Sequence, residues 1–213
     1  MNKENNRNLW IKTGAICGLL SGGLYFASAF IPMPDKLVYI AAFAFGPLLA
    51  IGCTGLYYFL SATDESPRLQ IAVVSAIAGG VTLLLMLTVQ QSIFSVLEKT
   101  PAESSAEIKA VGERINKGLN NVQLGMDVAW DVLICTATIL FGYSMIKRKG
   151  FWKIVGFIGL ALGLLLLGFN LFYFPIPPAD AGSIDWGPFV AIWYLALSLI
   201  LLSRRGLLTR SIQ

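Results

Sequence analysis

Asp127 and Asp131 are the residues of this sequence best placed to do chemistry, because they are the only acids read within or at the margin of a long apolar block. Four residues apart, they share one face of a helix. An ionised carboxylate is expensive in hydrocarbon, so both must turn toward other helices or a wet cavity. No Lys or Arg lies in the interior of any block to neutralise them. Counting back about 20 residues from the basic cluster at 147–149 puts Asp127 near one membrane boundary and Asp131 one turn deeper, with Trp130 beside them as an interfacial aromatic. Gln90, Gln91, Gln123, Asn170 and Tyr173 fall at similar depth, and the nearby loop carries Asp180 and Asp185 without a basic residue. This set predicts an acidic, polar pocket opening outward, suited to a cation or a small polar ligand. The competing reading is structural: the aspartates accept hydrogen bonds from Gln, Tyr or Trp and fix helix packing. Catalysis is the third and weakest reading.

Several chemistries are excluded. There is no histidine, so the commonest general base and zinc ligand is missing, and no metal site is expected. Cys17, Cys53 and Cys135 stand singly in different apolar blocks, as small buried hydrophobes do. Lipid-headgroup transferases of the CDP-alcohol type carry a DxxDGxxAR stretch before GxxxDxxxD; Asp127 and Asp131 have the last spacing, but the first half is absent. Intramembrane aspartyl proteases need aspartates on two helices, one in a GxGD context, which is also absent. No phosphate loop, nucleophile elbow or dinucleotide fingerprint occurs, so no cofactor and no enzyme activity is expected. The pI of about 9.0 reflects a net charge of only +4 held in loops, without the basic stripe that nucleic acid requires.

The elements that position these residues are membrane helices. The chain is 56% apolar and only 13% charged, with a mean hydropathy of +0.70, well beyond a soluble domain. The apolar residues run in unbroken blocks without alternation, which selects helices over barrel strands. The predicted fold is all-α: a polytopic bundle in one domain with spans near 10–31, 37–62, 69–96, 122–146, 153–174 and 187–203, the third longer than a bilayer needs. Eleven of the sixteen Lys and Arg residues fall on the side of the termini and of the second and fourth loops, so both termini are expected in the cytoplasm. The first block, with Ala27-Ser28-Ala29 at its end, has the look of a cleavable signal peptide, but five further spans already explain targeting.

Three finer features follow. Trp10, Gly14 and Ile16 match Trp152, Gly156 and Ile158; Gly18-Leu19 matches Gly159-Leu160. Ile31-Pro32 matches Ile176-Pro177, and Gly46-Pro47 matches Gly187-Pro188, all at offsets of 141 to 145 residues. Helical hairpins 1–2 and 5–6 are therefore read as possible copies. Gly14, Gly18 and Gly22 form a small-residue stripe, read first as packing within the chain and second as a dimer seam. Thr100-Pro101-Ala102-Glu103 reads as a capping box, and Ile108, Val111, Ile115, Leu119 and Val122 recur at helical steps among charges. An amphipathic extracytoplasmic loop helix is expected at about 100–119, the alternative being an extension of the third or fourth membrane helix.

The run 122–131 with its two aspartates, the Phe174-Pro175-Ile176-Pro177-Pro178-Ala179-Asp180 turn, and Asp185-Trp186-Gly187-Pro188 followed by Trp193-Tyr194-Leu195 together resemble a group of uncharacterised bacterial multi-span membrane proteins of similar length. The resemblance covers nearly the whole chain. It implies a bacterial inner-membrane protein, with no established activity and no functional residue to carry over. The expectation is a structural, sensory or accessory membrane protein. The alternative is a small transporter or ligand-binding protein using Asp127 and Asp131, and a weaker one is a lipid-modifying enzyme. Six short helices make a small transporter, which favours a homodimer. The expected partners are the lipid bilayer and a cation or small polar ligand, and no nucleic acid.

Overall fold

Six α-helices and no strand make up residues 3–97 and 106–203, which the computed structural model describes. They are α1 (Lys3–Phe30), α2 (Asp35–Leu60), α3 (Pro67–Leu97), α4 (Ala106–Ile146), α5 (Phe151–Tyr173) and α6 (Gly187–Ser203). The first five are long and apolar enough to cross a membrane, and α6 is a shorter apolar helix of 17 residues. The architecture is thus an all-helical bundle of the kind a multi-pass membrane protein has.

The amphipathic segment is not a separate helix. It is continuous with α4, whose 41 residues would run roughly 60 Å, about twice the hydrocarbon thickness. Nothing between 106 and 146 stops a helix: the stretch has no proline, so hydrogen bonding continues past the point where hydropathy changes. The side chains of Val111, Ile115, Leu119 and Val122 are exposed along this extension. The capping box at 100–103, the side chain of Ile108, and Arg204, Arg205 and Arg210 lie outside the described residues.

The helices pack in chain order, α1 on α2, α2 on α3, α3 on α4 and α4 on α5, and α6 closes the ring against α1. Contact between α5 and α6 is sparse by comparison. The resemblance between hairpins 1–2 and 5–6 is therefore not matched by their packing. Gly46-Pro47 sits in the middle of α2, whereas Gly187-Pro188 opens α6. The residues of the fifth loop correspond to the first half of α2 but include Pro177, Pro178 and a Gly182 at φ 76°, and they form turns instead of a helix. That difference shortens α6 and leaves a long connection across one end of the bundle.

The small-residue stripe on α1 is spent inside the chain. Gly14 meets the Gly55 backbone of α2, Gly18 meets Ser198 of α6, and Gly22 meets Leu195 of α6. A similar approach joins α4 to α5, where a Cβ on Gly156 would lie 2.6 Å from the Gly142 carbonyl oxygen. Between these contacts the helices are packed by the buried Leu60, Leu69, Phe141, Met145 and Leu197, and a polar pocket of about 920 Å³, lined by Glu4, Arg7, Tyr57, Asp64 and Gln70, lies between the start of α1, the end of α2 and the start of α3. Of the cysteines, Cys53 and Cys135 are buried and Cys17 is half-buried, all unpaired. The same end is tied by Arg148, whose Nη2 donates to the carbonyls of Phe59 and Leu60 at 3.2 Å and to Thr63 Oγ1 at 2.6 Å. A guanidinium on the last carbonyls of α2 satisfies groups the helix cannot, and complements its dipole. Stacked on Phe59 at 4.6 Å, the same group is also held by the ring face.

Candidate functional site

At the end carrying the α1–α2 and α5–α6 connections the helices part around a cavity of about 510 Å³. All six helices line it, together with Pro177, Pro178, Ala179 and Asp185 of the long connection. Its residues fall in three levels along the helix axes. The floor is mostly apolar, with Leu49, Leu83, Ile134, Leu166 and Val190 beside the Tyr194 phenol. One turn above Ile134 stands Asp131, and one turn above that Asp127. Toward the mouth lie Gln90, Gln91, Ser28 and Asp185.

Asp131 is only 3% exposed. The Asn170 side-chain amide, reaching from α5, donates to its Oδ2 at 2.5 Å, and Oδ1 takes no hydrogen bond from the described residues. Asp127 is half-buried and has no hydrogen-bond partner among the described residues. No Lys or Arg lines the cavity. The two carboxylates thus face a shared space with one amide between them and no cation. Asp185, exposed at the mouth, also fixes the start of α6, because its Oδ1 accepts from the Gly187 backbone N–H at 2.8 Å.

Six of the nine residues expected from the sequence come together here: Asp127, Asp131, Gln90, Gln91, Asn170 and Asp185. Three do not line the cavity. Gln123 lies on α4 one turn above Asp127, past the mouth. Tyr173 turns into an aromatic cluster with Phe169 at 6.1 Å and Phe172 at 5.0 Å. Asp180 is exposed on the connection.

The sequence reading missed the aromatic wall. Tyr25 of α1 stacks on Phe45 of α2, with ring centroids 5.6 Å apart, and both line the cavity. Trp130, read only as an interfacial residue, also lines it. At the floor, Tyr194 shares a hydrogen bond with Thr138 at 3.0 Å, bridging α6 to α4. The spacing of Tyr25 and Ser21, one turn apart and in register with Gly18 and Gly22, was the available signal: it marks the inward face of α1.

This arrangement can attract and hold positive charge in an apolar setting, where Coulombic terms are strong. Among the described residues, no three acidic, cysteine or histidine side chains converge as metal ligands would. No protein-family model, no curated protein and no solved structure matches the chain.

Proposed function

We propose that this is a multi-pass protein of a bacterial inner membrane that binds a small cationic or polar ligand in its six-helix cavity, as a small transporter or ligand-binding protein. The Lys and Arg bias supports an orientation with both termini in the cytoplasm, so the cavity opens outward. One observation carries the reading. Asp131 is buried against a cavity, half of its carboxylate is left without a protein donor, and Asp127 stands one turn above it in the same space. An aspartate kept for packing alone would be enclosed and saturated by its neighbours, since an unpaired buried charge is destabilising. The sealed half beneath Tyr194 would have to part for transport, so this conformation corresponds to a state closed toward the cytoplasm.

The test is thermal unfolding of the purified protein against inorganic cations, amines and neutral polar metabolites. The wild type is compared with a double variant carrying Asp127→Asn and Asp131→Asn. A ligand that binds only the folded state raises the melting temperature by mass action. The expected result is a ligand-dependent rise that the double variant lacks. No rise with any compound, together with a variant at least as stable as wild type, would make the aspartates packing groups.

A further inference from the structure

Resting on that reading of the cavity, we infer that its occupant is an organic ammonium ion with an apolar body, seated body-first. The order of the lining residues argues for this. Charge is held neither at the mouth alone nor at the floor, but as a collar at mid-depth, made by Asp131, Asp127 and Asn170. Below the collar the walls are Leu49, Leu83, Ile134, Leu166 and Val190, with the Tyr194 hydroxyl already engaged by Thr138, so a charged or hydrated group gains little there. A ligand matching this profile is amphipathic: hydrocarbon at the floor, positive charge at the collar, and water or polar substituents at the mouth among Gln90 and Gln91.

The alternatives fit less well. A bare divalent cation asks for six to eight oxygens at about 2.3–2.6 Å or a tight octahedron. The described acidic side chains do not converge in that way, and the floor supplies no oxygen shell. A hydrated metal ion would leave the apolar floor unfilled. A neutral hydrocarbon would fill the floor and leave the buried carboxylate uncompensated. An ammonium group satisfies Asp131 Oδ1 directly, and the aromatic side chains of Tyr25, Phe45 and Trp130 that line the same space suit an alkylated cation as well as a primary amine. The volume, about 510 Å³, lies within the roughly 300–1,000 Å³ of small-molecule pockets, so it admits an ammonium ion with a sizeable apolar body and leaves room for water beside a small amine.

The experiment measures binding of methyl-, butyl- and hexylammonium to the full chain, by calorimetry and by thermal shift. Hexanol serves as the uncharged match, and potassium and magnesium as inorganic controls. Affinity is expected to rise about fourfold per methylene until the floor is full, with no binding of hexanol. Asp131→Asn should abolish the rise. Should that variant fail to fold, Asp127→Asn, at a half-buried position, carries the same comparison with a partial loss. Leu166→Phe, which raises the floor, should weaken hexylammonium and leave methylammonium unchanged; partition into detergent would not respond to it. Aspartate-dependent binding of potassium, magnesium or methylammonium with no gain from chain length would overturn the amphipathic cation while leaving the cavity a binding site. Equal binding of hexanol and hexylammonium would overturn the role of charge. Binding of none of these compounds would overturn both this inference and the ligand-binding reading it rests on.

Discussion

The two halves of this bundle use the same six helices in opposite ways. In the half near the termini, glycines bring backbones into contact, as at Gly14 with Gly55 and Gly142 with Gly156, and large side chains such as Phe141 and Met145 pack beside them. In the other half the same helices diverge around the cavity, and polar groups face the space between them. Lipid is as apolar as leucine, so helices in a membrane associate by close packing and polar contacts. The glycine-packed half supplies that association, and it lets the helices part around the cavity in the other half without the bundle coming apart. The acids follow the same division. Asp64, at the end near the termini, is held through Oδ1 by the Ser66 amide of its own turn, while Asp131, beside the cavity, is held through Oδ2 by Asn170 of another helix.

The largest effect should come from breaking the zipped half, and α5 offers an internal control. In Gly156→Ala the new Cβ would lie 2.6 Å from both the Gly142 carbonyl oxygen and the Ile146 amide nitrogen, so backbones must separate. Overpacking of this kind costs about 1–3 kcal/mol, and backbone contact puts this position at the upper end. Gly168→Ala, on the same helix, meets nothing within 4 Å. It should be neutral or stabilise by up to about 1 kcal/mol through helix propensity. Unfolding of the two variants, measured side by side, checks the contrast. Equal effects would mean that the glycine approach does not hold α4 to α5.

An intermediate effect is expected where the halves meet. Asn170→Leu removes the amide that donates to Asp131 and leaves that carboxylate buried without a protein partner. The cost should be about 1–3 kcal/mol. Adding Asp131→Leu should recover most of the stability, because a buried polar pair replaced on both sides by apolar groups is often neutral. The double variant should be stable and unable to bind a cation, which separates folding from function at this pair. A double variant as unstable as Asn170→Leu alone would locate the damage in packing instead.

Much of this division could be read from the residues, and the parts that could not have physical reasons. Unbroken apolar blocks gave the number and order of the helices, since burial of backbone groups in lipid leaves few alternatives. They could not give the true start of α4, because hydropathy marks where a helix leaves hydrocarbon and not where its hydrogen bonding ends. Depth arithmetic brought Asp127, Asp131, Asn170 and the glutamines to one level. Depth carries no azimuth, so Tyr173, three residues from Asn170, was expected in the cavity and instead packs on Phe169 and Phe172. Tyr25 escaped notice because an aromatic near a membrane boundary reads equally as an interfacial anchor or as core. The correspondence between the two hairpins likewise held in sequence and lapsed where Pro177 and Pro178 replaced helix with turns.

The smallest effect sharpens the comparison between the acids. Asp64 sits in the α2–α3 turn, outside the membrane spans, where its Oδ1 accepts from the Ser66 backbone N–H at 3.1 Å. Partial burial works to raise its pKa, but the Ser66 hydroxyl and amide, Ser144 and Lys147 outweigh this and hold the carboxyl below its ordinary value. A carboxylate whose pKa is depressed on folding adds stability above its unfolded value, near 3.9, and loses it as the pH falls through the folded value. The side chain is half-buried in a surface turn, so screening limits the contribution to on the order of 0.5 kcal/mol. Asp64→Asn should therefore lower stability slightly at neutral pH and flatten the acid limb of the unfolding curve below about pH 4. Unfolding midpoints of both proteins between neutral pH and the acid limb measure this. An unchanged acid limb would show that Asp64 is no better held in the folded turn than in the unfolded chain, and the contrast with Asp131 would then rest on the cavity alone.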